Sequence, residues 1–92
     1  MKHDYTEENS SRLATVTTLF VMFHNLPATD EALNALTISV HFFLAEWYEK
    51  NGKKFAPAEE PIEDEAIRYA FANLAQMVAE VRDELKAEMS SR

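Results

Sequence analysis

Hydrophobic residues recur along this chain at three- and four-residue intervals, the spacing that places side chains on one face of an α-helix. Leu13, Val16, Phe20 and Phe23 make a first stripe, with Leu19 and Leu26 on its flank. Leu33, Leu36, Val40, Phe43, Leu44 and Trp47 make a second. Ala35, Ile38, Phe42 and Ala45 add a further line to that segment, so more than half of its circumference is apolar. Ile67, Phe71, Leu74, Val78, Val81 and Leu85 alternate in the manner of a coiled-coil seam.

The residues between the stripes supply the starts and stops. Asp4 or Thr6 can cap a first helix over about 6–25, with Glu7 and Glu8 suiting the positive end of its dipole. Asn25, Leu26 and Pro27 end it, because the residue before proline is pushed out of helical geometry. Thr29 caps a second helix over about 30–50, which Asn51 and Gly52 close. Pro61 suits the first position of a third helix, over about 61–89. With one glycine and three prolines, the chain lacks the turn residues that a small sheet protein needs. The expectation is one all-α domain over residues 1–92. It is a three-helix bundle with a long C-terminal helix, completed by dimerisation.

The dimer follows from a surplus. Helices of these lengths bury roughly 20 to 25 positions in a three-helix bundle. The chain carries more large apolar residues than that, with Val21, Met22, Tyr69 and Met77 as candidates for the outside. A contiguous surplus exceeds what monomers usually expose. The C-terminal turns of the third helix, with Val81, Leu85 and Met89, are the expected grip for a partner helix.

Charge narrows the partners. The net charge is −7, and the densest basic cluster is Lys50, Lys53 and Lys54. Phosphate backbones demand clustered cations, so direct nucleic-acid binding is not expected. No apolar run reaches the roughly 20 residues that span a bilayer, and the acidic N-terminus is unlike a signal peptide. The expected location is the cytoplasm.

Candidate chemistry is sparse. With no cysteine, thiolate catalysis and thiolate metal sites drop out. Val21 and Ile38 precede His24 and His41 by three, so the Glu-x-x-His pattern of di-iron bundles is missing. Ser39 and His41 point to opposite faces of a helix. Neither a cofactor nor an active site is expected. The most distinctive polar feature is the acidic block Glu59, Glu60, Glu63, Asp64 and Glu65, which can serve both a helix start and a basic partner.

These features imply a non-catalytic interaction module, an adaptor, inhibitor or assembly chaperone. Its expected partner-binding residues are Tyr48, Glu59, Glu60, Glu63, Asp64, Val81, Leu85 and Met89. The alternative is a bundle whose aromatics (Phe20, Phe23, Phe42, Phe43, Trp47 and Phe71) surround a small hydrophobic molecule.

Overall fold

A computed structural model describes residues 5–90; the side chains of 85 and 88–90 lie outside the description. Three helices follow in order: α1 (Glu7–Phe23), α2 (Asp30–Lys50) and α3 (Asp64–Ser90). The described residues contain no strand, and the fold is all-α.

Local chemistry accounts for most of the boundaries. The Thr6 hydroxyl accepts from the Asn9 amide, and the Thr29 hydroxyl accepts from the Ala32 amide, each satisfying a donor that the first turn leaves open. Asp4 lies outside the described residues. Both α1 and α2 end in a Schellman turn. At α1 the Leu26 amide donates to the Val21 carbonyl and the Asn25 amide to Met22, with Asn25 in the left-handed region at φ 53°. At α2 the Lys53 amide donates to Tyr48 and the Gly52 amide to Glu49, with Gly52 at φ 65°.

Pro61 is not the first helical residue. Helix α3 starts at Asp64, after the Glu63 carbonyl accepts from the Ala66 and Ile67 amides. The cause is tertiary. Ile62 is buried beneath the bundle, and its amide is bound by another side chain, so the segment 57–63 is held as a strap instead of winding into the helix.

The core is centred on α2 and α3, which pack closely, while α1 stands farther off. Helix α2 contributes Leu36, Val40, Leu44, Trp47 and Tyr48. Helix α3 presents Ala66, Ala70 and Leu74 at four-residue spacing, and the two alanines permit the close approach. The larger seam residues Ile67, Phe71 and Val78 are only half-buried beside this line, and Val81 is exposed.

Helix α1 departs most from its stripe. Phe20 and Val21 are buried, whereas Phe23 is 85% exposed. The Schellman turn sets Leu26 beside Val21, as such turns pair the residue after the cap with the last helical turn. That pairing draws Val21 inward and leaves Phe23 outside.

Candidate functional site

Helix α1 is secured at its first turns by polar side chains. Asn9 has 0% exposure and lies against the strap. Its side-chain amide donates to the carbonyls of Pro57 and Glu60, both at 2.8 Å, and its Oδ1 accepts from the Ile62 amide at 3.0 Å. The Thr6 amide also donates to the Pro57 carbonyl. One turn on, Arg12 donates to the Ile62 carbonyl at 2.8 Å and pairs with Asp64 at 2.6 Å. Thr6, Asn9 and Arg12 share a face by their three-residue spacing, and together they clasp residues 57–64. At the other end, Arg82 donates to the His24 carbonyl, and Phe20 meets Phe71 with ring centroids 5.7 Å apart.

Between these attachments α1 and α2 are separated by a cleft of about 280 Å³, lined mainly by Leu13, Ala14, Thr17, Leu33, Thr37 and Val40. The Thr18 and Thr37 hydroxyls donate to the carbonyls of Ala14 and Leu33, four residues back. With those hydroxyls engaged, Thr18 and Thr37 offer mostly methyl groups to the cleft. The cleft wall is therefore aliphatic, and it is not built from the aromatic residues of the core. Tyr5 stands at one end, its Oη 2.7 Å from His41 Nδ1. Burial pushes the Tyr5 phenol up to about 12. His41 itself is exposed.

The opposite side of α1 carries three of the six exposed large apolar side chains among the described residues. Leu19, Met22 and Phe23 are 60%, 71% and 85% exposed and lie within two turns, with half-buried Val16 one turn earlier. No Asp, Glu, Lys or Arg occurs anywhere from Leu13 to Thr29, a run of 17 residues. Ile38 and Phe42 form a smaller exposed pair on the outer face of α2. Exposure of whole leucine, methionine and phenylalanine side chains side by side is unusual for an isolated chain, because such patches mark contact sites.

The sequence-derived candidates fall in several places. Tyr48 is buried in the lone chain: its ring lies 5.1 Å from that of Phe55, and its Oη accepts from the Glu63 amide at 2.9 Å. It thus anchors the start of α3 from within and offers no surface. Its place one position off the apolar stripe suggested otherwise, but the buried arc of α2 is wide enough to include it. Glu59, Glu60, Glu63 and Asp64 are all exposed on the strap and the first residue of α3. Glu63 is paired with Lys53 at 2.9 Å and Asp64 with Arg12, which leaves Glu59, Glu60 and Glu65 with no ion pair among the described residues. The hydrogen bond to Glu63 raises the Lys53 pKa, and one to Tyr69, reinforced by the charges of Tyr69 and Glu46, raises that of Lys50. Val81 is exposed on α3, away from the strap in sequence; the side chains of Leu85 and Met89 lie outside the described residues.

Asn9 and the outer face of α1 were not among those candidates. Asn9 looks like any polar residue of a first turn, and its partners are about fifty positions away. The α1 face had a signal available, the long uncharged run in a strongly acidic chain. No helix among the described residues is long and apolar enough to cross a membrane. No protein-family model, curated protein or solved structure matches the chain.

Proposed function

We propose that this chain is a non-catalytic protein–protein interaction module, an adaptor, inhibitor or assembly chaperone acting in the cytoplasm. Its contact face is Leu19, Met22 and Phe23 on α1. Glu59, Glu60 and Glu65 form a separate acidic edge suited to a partner with a basic surface. Dimerisation completes the bundle, and α3 acts as a long C-terminal helix whose last turns, from Val81 onward, add to the contact surface.

The observation that carries this reading is the exposure of three adjacent large apolar side chains on a stretch with no formal charge. Contact surfaces are distinguished by depletion of charge at their centre and by aromatic and methionine residues, and this patch has both. A photo-crosslinking phenylalanine analogue at position 23, introduced in cells that make the chain, tests it. A discrete protein adduct should form there and not at exposed Lys54, and Leu19→Glu should abolish it. Equal, diffuse labelling at both positions would refute the reading.

The cleft supports a second one. Its size is nearly twice that of a cavity of about 150 Å³ that admits benzene. Its aliphatic wall suits a small apolar molecule, and saturable protection of Thr17 and Val40 methyl signals by such a compound would support that reading.

A further inference from the structure

We propose that Asn51–Gly52, where α2 ends, is a site of spontaneous deamidation that the native turn holds shut and that cannot reset once it has reacted. The reaction needs only these two residues, a base and water. The Gly52 backbone nitrogen gives up its proton and attacks Cγ of Asn51. A ring closes through the new N–Cγ bond, the Cγ–Nδ2 bond breaks, and the side-chain nitrogen recovers a proton and leaves as ammonia. Water then opens the resulting succinimide at either carbonyl, leaving aspartate or its β-linked isomer at position 51. Glycine suits the attacking position because it has no Cβ to obstruct the approach, and the space where one would stand is empty to 4 Å. The other asparagines precede Ser10, Leu26, Ala35 and Leu74, all of which carry side chains. Asn51 and Gly52 are both exposed, so water and base reach them.

The folded turn keeps the reacting atoms apart. Asn51 has ψ 7°, which nearly eclipses the Gly52 nitrogen with the Asn51 nitrogen and so turns it away from the side chain it must reach. The Gly52 amide is engaged with the Glu49 carbonyl at 3.1 Å, and Asn51 Nδ2 donates to the Trp47 carbonyl at 2.8 Å. The Lys53 amide closes the turn on the Tyr48 carbonyl at 2.9 Å. Ring formation therefore waits for the last turn of α2 to open, and local openings of this kind cost less than global unfolding. The product then works against closure. An aspartate adds negative charge at the negative end of the helix, beside Glu49, and has no amide donor for the Trp47 carbonyl. The β-linked isomer puts an extra methylene into the main chain and sets the Gly52 and Lys53 amides out of register with their acceptors. Tyr48 holds the start of α3 through the Glu63 amide, so a turn left open loosens the joint between α2 and the strap.

The test uses the whole wild-type chain at mildly alkaline pH, folded in buffer or unfolded in guanidinium chloride. Cleavage after Tyr48 and Phe55 releases the peptide 49–55 for mass spectrometry. Conversion of amide to acid should run at least ~10-fold faster in the unfolded chain. It should give two products separable by chromatography, while Asn34 and Asn73 stay unconverted over the same period. Asn51→Asp should lower the urea midpoint below that of Asn34→Asp, which adds the same charge to exposed backbone-paired helix near the start of α2. Equal rates in the folded and unfolded chains overturn the gate. Absence of conversion at position 51 in the unfolded chain overturns the site. An Asn51→Asp midpoint no lower than that of Asn34→Asp overturns the failure to close.

Discussion

Replacing Asn9 by alanine removes three hydrogen bonds from a side chain that solvent does not reach. The three losses are unequal. The Pro57 carbonyl keeps the Thr6 amide at 2.9 Å, and Glu60 is exposed, so water can take over at its carbonyl. The amide of buried Ile62 has no such substitute and becomes an orphan donor, which costs about 1–3 kcal/mol, while each remaining bond contributes about 1 kcal/mol. The higher helix propensity of alanine offsets roughly 0.6 kcal/mol. The net loss is about 3 kcal/mol, a large fraction of the roughly 5–14 kcal/mol available to a domain of this size. It corresponds to a fall in Tm of roughly 12–24 °C. Urea unfolding followed by the fluorescence of Trp47, the one tryptophan and a core residue, measures it directly. Asn9→Asp should be at least as damaging, since a carboxylate would face the two carbonyls that the amide now serves. A loss below about 1 kcal/mol for Asn9→Ala would mean that the clasp does not hold α1 in place.

Other outcomes follow from single contacts. Tyr48→Phe removes the acceptor of the Glu63 amide and should lower stability by about 1 kcal/mol, whereas Tyr48→Ala empties a core position and should cost about 3–5 kcal/mol. Equal effects of the two would refute the role given to the hydroxyl. Gly52→Ala should cost about 1 kcal/mol from the left-handed backbone alone, because an added Cβ meets nothing within 4 Å; a neutral result in the same titration would contradict this. The phenol of Tyr5, pushed up to about 12, stays protonated in the folded chain after the unfolded chain has released its proton near pH 10. Its contribution is thus complete below about pH 10 and declines as pH rises toward about 12. Urea midpoints across that window should fall less steeply for Tyr5→Phe than for the wild type, and parallel slopes would rule the effect out.

Much of the fold was legible because its determinants are local. Thr6 and Thr29 act within three residues of themselves, Asn51 and Gly52 within five, and the stripe of α2 needs only its own periodicity to define a buried face. What escaped depends on distant partners or on turn geometry. Phe23 belongs to the stripe by spacing, yet the left-handed Asn25 brings Leu26 onto the helix and gives Val21 the inner position. The large residues of α3 form a seam on paper, but the small Ala66 and Ala70 decide where α2 can come close. The acidic block was visible as composition. Its division into paired and unpaired members was not, since Arg12 reaches Asp64 across 52 positions.

The clasp also orders the birth of the molecule. Asn9 emerges from the ribosome about fifty residues before the strap that receives it, and at roughly 5–20 residues per second that delay is about 3–10 s. During this interval α2 grows while α3, its close neighbour, is still missing, and the uncharged half of α1 has no settled seat. Newly made chains thus pass through a window in which the greasy turns around Phe20 and Val21 are bare, and cellular holdases have their clearest target there.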